Sequence, residues 1–240
     1  MKDAVQKDAL QGNIIQKYVA QKNGIRGAIF DLDGVLLDSM SVWNDLGVRY
    51  LKKRGIQPEK GLNQILFSMS MEQGADYLKA QYHLPDTPQE ILKGIEQMIQ
   101  DFYFYEVQPK EGAKELLQFL QNQNVKMIAA TSSPREHVTK ALQRTGLLEY
   151  LQQIYTTGEV GESKHTPLIY QLAAESLGTK PEETLVFEDS LYALKTAKNA
   201  GFRAIGVYDA DGETDQESVR QTGELYLQTL NDFRKYWRSL

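Results

Sequence analysis

Two carboxylates, Asp31 and Asp33, follow directly on the apolar run Ala28-Ile29-Phe30, and Gly34 comes next. Few folds accommodate that order. An apolar run without polar alternation reads as a strand buried on both faces, the pattern of parallel sheets. Charged side chains cannot follow it into a core, so the strand ends and the two acids stand at its carboxyl end. That is the edge at which open α/β sheets hold their ligands. A spacing of two aims both side chains to one side. The pair is then placed to share one site, one acid as nucleophile or metal ligand and the other as proton carrier. The plainer reading is an Asp-rich turn, since Asp and Gly are ordinary turn residues.

The rest of the chain supplies a sheet for that strand. Val125–Ala130, Ile154–Thr156, Thr184–Phe187 and Arg203–Val207 read as further short strands, with Leu225–Leu227 as a candidate sixth. Helices are predicted over Ala113–Gln121, from Ser133-Pro134 to about Thr145, from Thr166-Pro167 to Gly178, and over Leu191–Ala200, with a closing helix at Asn231–Trp237. Ser133-Pro134-Arg135-Glu136 has the form of a capping box with proline at the first helical position. Strands alternating with helices at this spacing predict a parallel sheet with right-handed crossovers. Asp209–Glu213 reads as a solvated acidic loop.

Between the first two strands the period changes. Val42–Leu51, Glu72–Tyr82 and Gln89–Phe104 carry helical stripes. A helical block of about sixty residues is too long for a simple crossover and reads as an inserted unit. The aromatic run Phe102–Tyr105 is expected to be a packed hinge rather than a substrate-stacking surface, and Glu106–Gly112 a return linker. Residues 1–22 form a helical stripe (Val5, Leu10, Ile14, Ile15, Tyr18, Val19) expected to lie on the flank of the core.

A net charge of −5 disfavours nucleic-acid and anionic-membrane partners. The chain has no long apolar run and a polar start, so a cytoplasmic protein is expected. Without cysteine there is no disulfide and no thiolate metal site, and His83, His137 and His165 leave little for a zinc site. Any metal is expected to be a hard cation on oxygen ligands.

Every strong candidate falls at the carboxyl end of a predicted strand. Thr131-Ser132-Ser133 follows the second, at a helix start, where hydroxyls and free N–H groups make a phosphate cradle. Glu188-Asp189 follows the fourth. If these loops converge, four carboxylates crowd one pocket. Two unit charges about 4 Å apart repel by roughly 4 kcal/mol at an effective dielectric of 20. Such a group calls for a cation, and oxygen ligands with room for phosphate point to Mg²⁺. Lys164 lies in a loop and by itself reads as solvated surface.

Asp31-Leu32-Asp33-Gly34-Val35-Leu36-Leu37-Asp38, Thr131-Ser132, Lys164 and Glu188-Asp189, in that order, resemble the four motifs of the haloacid-dehalogenase-like phosphohydrolases over residues 24 to 210. The likeness extends to the β-phosphoglucomutase-like subgroup with a helical cap. It implies a Rossmann-like doubly wound α/β sheet in the order 5-4-1-2-3, with a core of residues 24–40 and 108–240 and an inserted all-helical cap domain at 41–107. Residues 1–23 are an extension outside it. It also implies Asp31 as nucleophile, Asp33 as acid and base, and Thr131, Ser132 and Lys164 as phosphate-binding. Mg²⁺ would be held by Asp31, Asp189, the Asp33 carbonyl and Glu188 through water. Trp43, Arg49, Met69 and Met71 are the candidate substrate contacts of the cap.

Two departures bear on function. The third motif runs Lys164-His165-Thr166-Pro167-Leu168, without the family's acid after the proline. The cap stretch Phe67-Ser68-Met69-Ser70-Met71-Glu72 has methionine where mutases carry an arginine that grips a second phosphate. A methionine-rich loop gives adaptable apolar contact and no anion grip. The expectation is therefore a Mg²⁺-dependent phosphatase of a small sugar or nucleotide phosphomonoester, monomeric or homodimeric. A phosphosugar mutase is the alternative; a receiver-like or non-catalytic phospho-ligand-binding protein is the alternative of another class.

Overall fold

The computed structural model describes residues 24–67, 69–213 and 215–240, so the stripe predicted at residues 1–22 lies outside them. Six parallel strands form one sheet: β1 Gly27–Phe30, β2 Lys126–Thr131, β3 Ile154–Thr156, β4 Thr184–Glu188, β5 Arg203–Val207 and β6 Leu225–Leu227. Their order is β3-β2-β1-β4-β5-β6, the expected arrangement with the candidate sixth strand added beyond β5. The chain builds outward from β1 to β3, then crosses back to β4 on the other side of β1. The gap between β1 and β4 is thus the switch point at which α/β sheets bind ligands.

The unbroken hydrophobicity of β1 has a packing cause. Ala28 and Phe30 enter a core that includes Leu116, Leu117 and Phe233, while Ile29 enters a second one with Ile128, Ile169, Tyr170 and Val186. Alternate residues thus feed opposite faces, and both are covered.

The stretch between β1 and β2 is helical: α1 Met40–Lys53, α2 Leu62–Phe67, α3 Met71–Tyr82 and α4 Pro88–Asp101, followed by a π-helical turn at Phe102–Glu106. Capping boxes start α3 (Ser70 with Gln73) and α4 (Thr87 with Glu90). With six residues, α2 is too short to show a period. α5 Ala113–Asn122 precedes β2, and beyond that strand come α6 Arg135–Thr145, α7 Thr157–Val160, α8 Leu168–Leu177, α9 Leu191–Asn199, α10 Gln216–Thr222 and α11 Phe233–Tyr236. The two ends of the insertion lie side by side: Asp38 N–H donates to the Gln108 carbonyl and Lys110 N–H to that of Leu36, both at 2.9 Å. No helix among the described residues is long and apolar enough to cross a membrane.

Two local expectations are corrected. The capping box at Ser133 does not form: Pro134 is extended (φ −58°, ψ 135°) and caps α6 without a side-chain bond, so the helix starts at Arg135. Asp209 is not solvated, being 4 % exposed, because Lys110 Nζ meets its Oδ2 at 2.6 Å and the Tyr208 carbonyl at 2.6 Å.

Candidate active site

β1 and β4 are locked in register, with Phe30 opposite Phe187 and their rings stacked at 4.5 Å. Asp31 N–H continues the ladder to the Phe187 carbonyl at 3.0 Å. Asp31 and Glu188 therefore leave adjacent strands at the same level. Lys164 ties them, its Nζ 2.7 Å from Asp31 Oδ1 and 2.8 Å from Glu188 Oε1. Only 2 % of this lysine is exposed, which reverses the surface reading of a lone loop lysine. The Tyr170 hydroxyl donates to the same Glu188 oxygen at 2.7 Å.

One carboxylate oxygen each from Asp31, Glu188 and Asp189 lies within 4.8 Å of the others. Glu188 Oε2 is buried without a hydrogen-bond partner. Burial pushes the Asp31 carboxyl well above its usual range; Lys164 opposes this, and Glu188, Asp189 and Asp33 add to it. Burial and then Glu188 raise Asp189 to about 7. Burial works against the Lys164 ammonium, but Asp31 and Glu188 more than offset it and its pKa rises. The pocket holds more negative charge than its lysine neutralises.

Gly34 makes the close approach of Asp189 feasible. Its φ is +74°, and a Cβ there would sit 2.3 Å from Asp189 Oδ2. Lys110 Nζ also binds the Gly34 carbonyl, holding the turn from the far side. Gly34→Ala is expected to destabilise the protein by about 1–3 kcal/mol, the usual cost of such a backbone strain. It should weaken divalent-cation binding as well, because Asp189 must move. Chemical denaturation with and without Mg²⁺ checks both; an alanine variant with unchanged cation affinity would show that Asp189 is not held by this contact.

Asp33 is surrounded by hydroxyls. Ser39 Oγ and the Tyr103 hydroxyl both donate to its Oδ1 and Ser133 Oγ to its Oδ2, each at 2.6 Å. Thr131 lies behind, wholly buried, its Oγ1 accepting the Ser133 N–H at 3.1 Å. Ser132 and Ser133 line the open space, a cavity of about 390 Å³ that also touches Asp31, Asp33, Lys164 and Asp189. Met40, Trp43, Pro134, Ser190, Tyr192 and Glu213 complete its lining.

The four cap candidates separate. Trp43 lines this cavity, whereas Met69 and Met71 line a smaller one of about 100 Å³ inside the insertion, which also touches Trp43. Arg49 lies elsewhere, 3.6 Å from Glu106 and over the Phe102 ring. Ser39, Tyr103, Tyr170 and Lys110 went unnoticed in the sequence as members of the site. The partners of Tyr103, Tyr170 and Lys110 lie at other places in the chain, and no local pattern marks them; Ser39 stands only six residues after Asp33 and reads as an ordinary helix-start serine.

A sequence profile of the haloacid dehalogenase-like hydrolases matches residues 28–207. The chain is 26% identical over 181 residues to a phosphorylated carbohydrates phosphatase of Thermotoga maritima, covering 75% of this chain and 84% of that one. It is 27% identical over 223 residues to the validoxylamine A 7'-phosphate phosphatase of Streptomyces hygroscopicus (86% and 95% covered). To the beta-phosphoglucomutase of Bacillus subtilis it is 24% identical over 223 residues (89% and 97%). The fold is shared with a hydrolase from Deinococcus radiodurans solved with bound phosphate and sodium: TM-score 0.71, 23% identity, 90% of this chain and 96% of that one.

Proposed function

This chain belongs to the haloacid dehalogenase-like hydrolase family, and we propose that it is a phosphatase of small phosphomonoesters that works through an aspartyl-phosphate on Asp31. The observation that carries the reading is the Asp31–Lys164–Glu188 arrangement at the switch point. It is a buried carboxylate with a fixed cation beside it and a serine-lined cavity in front. Relatives named as phosphatases support the same reading.

In the proposed first step Asp31 attacks phosphorus, and the bond to the leaving oxygen breaks as Asp33 delivers a proton to it. Lys164 offsets the repulsion between the nucleophile and the phosphoryl oxygens. The N–H and hydroxyl of Ser132, which lines the cavity, orient those oxygens, with Thr131 packed behind it. In the second step Asp33 removes a proton from the water that releases phosphate. Splitting one hard displacement into two easier ones is the gain of a covalent route.

The acid cluster fits Mg²⁺. The donors are all oxygen, Glu188 Oε2 is buried without a partner, and the carboxylates outnumber the lysine. Asp31, Asp189 and Glu188 would hold the ion, which when bound supplies charge for the transferring phosphoryl group.

Among the described residues lining the cavity, Lys164 is the one cation, and its two ion-pair partners are carboxylates. That favours a substrate with a single phosphate, and hence hydrolysis over a mutase cycle that needs a bisphosphate. The insertion, residues 41–107, would cover the site, with Trp43 against the leaving group.

Cation binding should also be pH-linked. In the cation-free protein burial and Glu188 raise the Asp189 carboxyl to about 7, whereas in the unfolded chain it loses its proton near the ordinary 3.8. Between those values the folded state holds the extra proton, so raising the pH costs stability. Mg²⁺ needs the ionised carboxylates. The rise in melting temperature on adding Mg²⁺ is therefore expected to be larger at pH 8 than at pH 5. An equal rise at both would contradict the assignment of Asp189 as ligand.

The function itself is tested by phosphate release from a panel of sugar, nucleotide and polyol monophosphates, with Mg²⁺ and with a chelator. Mg²⁺-dependent turnover establishes the phosphatase. Release from none, by a folded protein that binds Mg²⁺, would overturn it.

A further inference from the structure

Tyr103 takes no part in holding nucleophile, phosphate or cation, yet its ring is wholly buried and its hydroxyl lies 2.6 Å from Asp33 Oδ1. The ring stacks on His137 (centroids 5.6 Å, interplanar 27°) and meets the edge of Phe102 at 5.7 Å, so packing fixes where the hydroxyl points. It is delivered by the π-helical turn Phe102–Glu106 at the end of α4. Such turns are rare and gather at functional sites, because the extra residue in the turn redirects side chains at a cost in hydrogen-bond geometry. The other donor to Oδ1, Ser39, sits at the opposite end of the insertion, immediately before α1, whereas Oδ2 is held by Ser133 of the core. One oxygen of the carboxylate is thus tied to both ends of the insertion and the other to the sheet.

We infer that Tyr103 is a positioning residue for proton transfer by Asp33. Its hydroxyl stabilises the carboxylate that remains once the leaving oxygen has taken the proton, and it couples the orientation of that carboxylate to the seating of the helical insertion. The inference rests on the reading of Asp33 as acid and base. The proton count is simple. When the bond from phosphorus to the leaving oxygen breaks and the bond to Asp31 forms, the Asp33 proton moves to the leaving oxygen. Asp33 is then an anion, and the hydroxyls of Tyr103, Ser39 and Ser133, each 2.6 Å from one of its oxygens, are placed to donate to it. In the second step it takes a proton back from the attacking water. Tyr103 keeps its own proton throughout: burial, the Asp33 charge and the hydrogen bond to Asp33 raise its pKa, opposed in part by hydrogen bonding with Ser133 and Trp43.

The test uses the leaving group as probe. An alkyl phosphate such as glycerol phosphate needs a proton on its leaving oxygen, whereas p-nitrophenyl phosphate departs as a stable phenolate. General-acid assistance is typically worth about 10²–10⁴-fold. Tyr103→Phe keeps the ring and removes the hydroxyl. It is expected to lower kcat for glycerol phosphate at least about tenfold more than kcat for p-nitrophenyl phosphate, with KM within about twofold. The comparison is made on one preparation, so the folded fraction cancels from the ratio. In an Asp33→Asn background the same substitution should leave the ratio unmoved, since residues acting through one another are not additive.

Equal loss on both esters would make Tyr103 a structural residue and overturn the inference, as would no loss on either. Glycerol phosphate stands here for whichever alkyl monophosphate of the panel turns over fastest; wild-type protein that hydrolyses no compound of the panel would remove the phosphatase reading and this inference with it. Wild-type activity with an unmoved ratio removes this inference alone.

Discussion

Asp31→Asn is expected to abolish phosphate release without unfolding the protein. The amide keeps the shape of the side chain and loses the proposed nucleophile. Removing a nucleophile from a covalent mechanism costs on the order of 10⁴–10⁶ in kcat. The stability effect should have the opposite sign from most buried substitutions. Burial raises the Asp31 pKa, and its three acidic neighbours raise it further, which means that the charged form is held there at a cost. A neutral isostere removes that cost, and Lys164 keeps Glu188 as a partner at 2.8 Å. In chelator at pH 7.5 the melting temperature of the variant should equal or exceed that of the wild type. Turnover within tenfold of wild type would mean that another group attacks phosphorus.

Lys164→Met should do the reverse. The methionine fills a similar volume but leaves Asp31 and Glu188 facing each other with no cation between them. Removing one partner of a buried ion pair typically costs about 3–5 kcal/mol, chiefly because the other charge is left uncompensated. Urea denaturation should show that loss as a lower midpoint at unchanged slope. Mg²⁺ should restore part of it by supplying positive charge to the same carboxylates. A loss below about 1 kcal/mol would be in the range of an exposed surface pair, and would mean that the pocket is solvated. The two variants together separate electrostatics from packing, since packing loss alone would lower both.

The acids at the strand ends were legible because an apolar run that stops at a carboxylate has few structural uses. Asp31, Glu188 and Asp189 needed only the knowledge that parallel strands end on one edge. Strand order followed from the family resemblance, and β2 and β4 each extend one residue past the apolar run to include Thr131 and Glu188. Other features were hidden for a common reason. Ser133 carries the residue type of a helix cap, but its hydroxyl is claimed by Asp33, a residue about a hundred positions earlier. Asp209 sits among other acids and looked solvated; the lysine that buries it is equally distant in sequence. Tyr103 read as part of a packed hinge, and Phe102 and Tyr103 are indeed buried, but nothing local announces that one hydroxyl there reaches Asp33. Hydrogen bonds between distant segments leave no periodic trace.

The side-by-side ends of the helical insertion also bear on how the chain finds its fold. β1 is the middle of the sheet, and its neighbour β2 lies about a hundred residues further along the chain. Closing so long a loop costs entropy before any strand contact repays it, and folding is slow when contacts are remote. Once α1 to α4 have packed on one another, Leu36 and Lys110 meet as if across a hairpin, and the effective loop shrinks to about twenty-five residues. The saving is about 1 kcal/mol, from the logarithmic growth of closure entropy with loop length. The capping boxes at Ser70 and Thr87 act far from the sheet, yet they stabilise the helices that draw its central strands together.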